Sequence, residues 1–312
     1  MKPRRALSLV LFVLTLGSLL VQAASQGPNY AGAASTVGWS SAANATGTPD
    51  NACASRSGAA GGALDLTNFG FTIPDAAVIN GITVEVKFAG TTVGDDGVGV
   101  RLLKGGSPVG NTQDIYAISG QNDCSTSAFR TVGSPADPWG TSWNASDINA
   151  ANFGVRLSKL GNTGTSYVDS VRITVEYQDV MTVTVIYGGA LTANVNSAAT
   201  VESGKVEFLS QNQNGTTLKV VSTKNWRVRA IATVTIYPAG ADDPTANAVE
   251  IKDYLGNFTP AGTPGVIVAK GTPTPAGGVT VNVDLRVMLD DFGDGKIGTY
   301  QFTVNYSIEE DI

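Results

Sequence analysis

Apolar and polar residues take turns along much of this chain. Ile82-Thr-Val84-Glu-Val86-Lys-Phe88 alternates without a break, and so does Val171-Arg-Ile173-Thr-Val175-Glu-Tyr177. A period of two places Ile82, Val84, Val86 and Phe88 on one face of a strand and turns the polar residues toward water. That is the pattern of antiparallel sheets with one solvated face, since parallel strands read as continuous apolar runs. Val98-Gly-Val100-Arg-Leu102 and Phe153-Gly-Val155-Arg-Leu157 repeat it, each with an arginine expected outward. The second half continues with Met181–Val185, Trp226–Ala230, Val279–Leu289 and Tyr300–Ile308, and Trp226 is expected in the core.

Turn clusters separate these runs, among them Gly94-Asp-Asp-Gly97, Gly105-Gly106 and Gly277-Gly278. A single helical turn fits Asp147–Phe153. The expected fold class is therefore all-β, as two antiparallel β-sandwich domains, one jelly-roll-like and one immunoglobulin-like. A boundary falls near Tyr177–Val180, where one closing strand ends and another begins. This gives an N-terminal sandwich over residues 36–178 and a C-terminal one over residues 179–312.

The first 23 residues break the pattern. Lys2, Arg4 and Arg5 precede an apolar stretch from Ala6 to Val21, and Val21-Gln22-Ala23 offers a cleavage site before Ala24. This reads as a secretory signal peptide, since the apolar stretch is short of the roughly 20 residues a membrane span needs. Residues 24–35, rich in Ala, Ser and Gly, are expected to form a flexible leader. No later segment is apolar enough to be a transmembrane helix. The expected location is outside the cell, secreted or at its surface.

Charge narrows the partners. The formal net charge is −6, and loss of the three signal-peptide cations makes it −9. Such acidity argues against nucleic acid, whose phosphates require lysine and arginine. Two cysteines, Cys53 and Cys124, remain in an exported chain, and an oxidising compartment makes a disulfide their default state. A staple of that length contributes about 4 kcal/mol in the chain-entropy model.

The sequence contains no histidine. That removes Ser-His-Asp and Cys-His nucleophile systems and imidazole zinc sites. No GxSxG motif and no phosphate-binding loop occurs. Paired carboxylates remain as a glycosidase apparatus, but Glu85 and Glu176 fall on the solvent register of their strands, and Asp65 and Asp169 near strand ends suit turns. Asp290, Asp291 and Asp294 cluster around a glycine turn and are the candidate ligands for Ca2+. Asp95-Asp96 and Asp242-Asp243 are further acidic pairs. The EF-hand pattern fails, and Asp-Gly turns between strands have the same composition. Trp139 and Trp143, in a loop rich in Pro and Gly, are the candidate platform for stacking on sugar rings, unless they cap the core.

Several of these segments carry a resemblance. Leu66–Pro74, Ile79–Val86, Trp139–Trp143, Asn152–Val155 and Val168–Val175 together resemble a module of secreted and surface proteins of bacteria and of some phage-associated proteins. The resemblance implies a jelly-roll-like sandwich and no settled activity. Asn225-Trp226-Arg-Val and the last strand, Gly298–Tyr306, are similar in style to fimbrial and spore-coat-U-type immunoglobulin-like domains, which often polymerise by donating a strand. No alternating donor segment stands at the expected mature N-terminus.

These readings favour a non-enzymatic surface or extracellular structural subunit, with copies of itself or other surface proteins as partners. A glycan-binding or adhesive module is the alternative, and a jelly-roll enzyme acting on glycans the third reading.

Overall fold

A computed structural model of the chain describes residues 22–188, 191–195, 212–236, 249–262, 264–287 and 298–312. The chain divides into two compact units, one over Val21–Val180 and the other over Met181–Thr274 and Gly278–Ile312. Each is built of antiparallel sheets, so the chain is an all-β protein of sandwich type.

The N-terminal unit runs through β1 (Gln22–Tyr30), β2 (Ala33–Val37), β3 (Ala54–Ser57), β4 (Gly61–Thr67), β5 (Val78–Gly90), β6 (Gly97–Lys104), β7 (Ser107–Tyr116), β8 (Ala128–Ser134), α1 (Ala145–Asn149), β9 (Gly154–Leu160) and β10 (Thr165–Asp179). One sheet has the order β1-β10-β5-β8, with β3 also on β10. The other has the order β2-β4-β9-β6-β7. Their inward faces meet in a single core. Ile82, Val84, Val86, Val171, Ile173 and Val175 come from the first sheet, and Leu64, Leu66, Val98, Val100, Val155 and Leu157 from the second. These are the residues the period-two pattern places on one side.

Four details depart from the sequence expectation. Residues 24–35 are not a loose leader: β1 pairs with β10 from Gln22↔Asp179 to Tyr30↔Arg172, and β2 pairs with β4. Small residues suffice there because an edge strand is held by main-chain bonds, whatever its side chains bury. The helical turn begins earlier than Asp147. Asn144 accepts the Asp147 N–H at 2.8 Å while the Asp147 carboxylate accepts the Asn144 N–H at 3.0 Å, a reciprocal cap that fixes the start. In β6 both faces are covered, with Gly97, Val98, Gly99 and Val100 all buried. Asp65 lies near the end of β4, as expected, but its carboxylate serves an ion pair with Arg156 across the sheet and not a turn.

The C-terminal unit comprises β11 (Met181–Gly188), β12 (Leu191–Val195), β13 (Asn212–Ser222), β14 (Trp226–Ile236), β15 (Val249–Lys252), β16 (Phe258–Pro260), β17 (Val266–Gly271), β18 (Val279–Val287) and β19 (Gly298–Glu310). Its sheets are β11-β13-β18-β15-β16 and β12-β19-β14-β17. Leu218, Val220, Ile251 and Val283 of one meet Trp226, Val228, Ala230 and Ile308 of the other. Trp226 is buried as expected, and its indole N–H donates to the Thr272 carbonyl at 2.8 Å.

Candidate functional site

Cys53 and Cys124 form a disulfide, with their Cα atoms 5.9 Å apart. The bridge ties the loop before β3 to the short turn before β8. A second device anchors the same loop. β10 is irregular between Val168 and Ser170, and Asp169 occupies that break. Fully buried, its carboxylate accepts the N–H groups of Asp50 and Asn51 and an ion pair from Lys87 Nζ at 2.6 Å. Asp169 thus serves a turn, as expected, but from inside a strand through a bulge.

The acidic pair Asp95-Asp96 is engaged in the same manner. Asp96 Oδ1 accepts Lys159 Nζ at 2.9 Å, and both side chains are wholly buried. Asp96 Oδ2 accepts the Thr91 hydroxyl and the Thr92 N–H. The ammonium also donates to the carbonyls of Leu160, Gly161 and Thr163, so it sits in an oxygen cage. Burial by itself would raise the Asp96 carboxyl, yet the hydrogen bonds from Lys159, Thr92 and Thr91 outweigh it and hold it below the ordinary carboxylate value. Gly164, at φ +55°, closes the turn against this carboxylate. A Cβ there would collide with Asp96 Oδ2.

Of the remaining candidate carboxylates on these sheets, Asp65 and Glu85 are paired with arginines. Asp65 is held by Arg156 through two bonds of 2.6 and 2.7 Å. Glu85 is held by Arg172 through two of 2.8 Å, and the Arg172 guanidinium stacks 4.0 Å above the Phe129 ring. The bonds to Glu85 raise the Arg172 guanidinium further above its usual value. Glu176 shares the outer face of β10 with Arg172. Among the described residues no group of three or more Cys, Asp or Glu is placed to hold a metal ion. Asp290, Asp291 and Asp294, the candidate calcium ligands, lie outside the described residues, as do Asp242 and Asp243.

The two loop tryptophans part company. Trp139 is wholly buried, its indole N–H donating to the Ile82 carbonyl. A ring that no sugar can reach is not a platform, so that half of the expectation is corrected. Trp143 is half-buried. It stands edge-on to Phe153 at 5.5 Å, with Lys104 Nζ 5.7 Å from its ring centroid and Lys104 in turn paired with Asp147 at 2.7 Å. The two rings are not brought together on one surface.

No family model and no curated protein matches this chain. Distant likenesses exist among solved structures. One is a fucolectin from striped bass (Morone saxatilis) serum, at 13% identity over 91% of this chain and 100% of that chain, with a TM-score of 0.30. Another is the CBM22-1–CBM22-2 tandem domain of Paenibacillus barcinonensis Xyn10C, at 10% identity over 96% and 100%, with a TM-score of 0.23. A third is Sulfolobus Turreted Icosahedral Virus, at 11% identity over 92% and 90%, with a TM-score of 0.22. Scores this low establish neither kinship nor activity.

What the arrangement can do follows from its chemistry. The buried charges clamp loops: Lys87–Asp169 fixes the strand-connecting loop beside the disulfide, and Lys159–Asp96 fixes the turn into β10. These lysines escaped notice in the sequence. Yet Lys159 stands on the same parity as Val155 and Leu157, so a lysine on the inward register was the available signal. Among the described residues no helix is long and apolar enough to cross a membrane.

Proposed function

We propose that the chain is exported and acts outside the cell as a non-enzymatic structural or assembly subunit of an appendage, matrix or surface layer. The observation that carries this reading is the Cys53–Cys124 disulfide, which spans 71 residues of sequence. Such bonds persist outside reducing compartments, where a durable part benefits from a staple. The engagement of Asp65, Glu85, Asp96 and Asp169 by cations supports a scaffolding role for these carboxylates. The likeness of Asn225–Val228 and of the last strand to fimbrial and spore-coat-U-type domains belongs with the same reading.

Cell fractionation and electron microscopy with a specific antibody test it. The expected result is label on surface assemblies and an oxidised protein lacking residues 1–23. A reduced protein confined to the cytosol overturns the reading.

A second reading, glycan binding, rests on Trp143. Its half-buried ring next to Lys104 and Asp147 combines an aromatic surface with polar groups, which suits a sugar. A glycan array run with the protein and with Trp143→Ala tests this, and equal signals from the two end it.

A further inference from the structure

We infer that two copies of this chain join edge to edge through β2, in antiparallel register centred on Ser35. The inference rests on the assembly reading and names the contact that would serve it.

β2 ends its sheet, paired with β4 on one side only. Its outward N–H and C=O groups therefore form a template for another strand. Edge strands are ordinarily guarded by charge or proline. In the N-terminal unit β1 carries Pro28, β7 carries Pro108 and Asp114, and β8 carries Arg130. β2, Ala-Ala-Ser-Thr-Val, carries neither, and no Asp, Glu, Lys or Arg occurs anywhere from Ala6 to Pro49. The loop after β2 returns as a short 3-10 turn, Ala42–Ala45, that lies close to β2, and the Gly47 N–H donates to the Ala31 carbonyl. Residues Ala33, Ser35, Thr36 and Val37 are exposed.

Charge identifies the occupant. The whole chain has a net charge of −6, so copies repel except where a surface is neutral. A neutral edge meets its own copy without repulsion. The side chains also fit: Val37 is 71% exposed, among the highest values for a large apolar residue in the chain. A two-fold axis at Ser35 lays it against the partner's Ala33, the smallest residue that keeps a side chain, and sets Ser35 against the partner's Ser35. An antiparallel strand paired with itself closes as a dimer and continues the sheet across both copies.

The axis makes the test sharp, because any charge placed at 35 faces itself. Sedimentation equilibrium of the oxidised protein lacking residues 1–23 should show a dimer that grows with concentration. Ser35→Lys and Ser35→Glu should each weaken it by about two- to fivefold, a like-charge penalty of the usual cross-strand size. An equimolar mixture of the two variants should restore it, which a misfolded variant could not do. Hydrogen exchange of the unmodified chain gives a second readout, since amides of residues 33–37 should gain protection on concentration. Dimers undiminished in both variants, or no gain in protection at 33–37, overturn the edge contact and leave surface assembly by other routes standing. A monomer at every concentration overturns the contact and weakens the assembly reading with it.

Discussion

The indole N–H of Trp139 donates to the carbonyl oxygen of Ile82 at 2.8 Å, deep inside the N-terminal sandwich. Around that bond the loop from Ser134 to Thr141 is sewn to both sheets. The Ile82 N–H donates to the Asp137 carbonyl, the Trp139 N–H to the Asp137 carboxylate, and the Asn111 N–H to the Trp139 carbonyl. Trp139 adopts φ +59°, a left-handed conformation uncommon for a bulky residue, and the surrounding bonds hold it there.

Trp139→Phe keeps most of the ring but strips the donor from a buried carbonyl, which costs about 1–3 kcal/mol. Trp139→Ala adds a cavity and should cost about 3–5 kcal/mol. Urea unfolding of the oxidised protein measures both. Equal stability of the Phe variant and the parent would remove the hydrogen bond from the account.

Alternation of apolar and polar residues made most strands legible, because one parity is apolar at every step from Ile82 to Phe88 in β5 and from Val171 to Tyr177 in β10. The edge strands β1 and β2 were not legible. Their stability comes from pairing with β10 and β4, and Ala, Ser and Gly leave no periodic trace of it. Trp139 and Trp143 look alike in sequence, four positions apart in one loop. Only the fold reveals that Gly110 and Gly133 open room for the first ring and its backbone, where a Cβ at either glycine would collide with Trp139. Lys159 was legible in principle, since its parity matches Val155 and Leu157.

The disulfide should matter for stability more than for shape. Cys53 and Cys124 close a long loop, and Lys87–Asp169 independently anchors the segment around Asn51. The double variant Cys53→Ser/Cys124→Ser is therefore expected to fold, with a loss of about 2–4 kcal/mol. Chemical denaturation with and without reductant checks this, and a loss near zero would show that the loops are held by Asp169 alone.

A chelator should leave the N-terminal unit unmoved. The two oxygen clusters that could attract a cation, at Asp96 and Asp169, each already hold an ammonium, from Lys159 and Lys87. Hydrogen exchange at residues 90–97 and 160–166 is expected to be the same in calcium and in EDTA. Any shift in melting on adding calcium should then disappear in Asp294→Ala, which tests Asp290, Asp291 and Asp294 as the calcium ligands. Deprotection at residues 90–97 by EDTA would contradict the ammonium cage.

The Lys159–Asp96 pair carries the clearest dependence on pH. Removing one partner of a buried ion pair strands the other, so Lys159→Met at neutral pH should cost about 3–5 kcal/mol. In the parent protein the folded Asp96 carboxyl is depressed, so its contribution is present above the ordinary carboxyl value, about 3.9, and is lost as pH falls through the lower folded value. In the variant the foremost lowering influence is gone and burial dominates, which raises the folded carboxyl. Protonation then relieves a buried unpaired charge, and acid favours the folded variant through this group. The stability gap between parent and Lys159→Met should therefore narrow steadily from pH 7 to pH 3. Urea midpoints at three pH values measure the gap, and one that stays constant over that range would mean that the carboxylate finds another cation when Lys159 is removed.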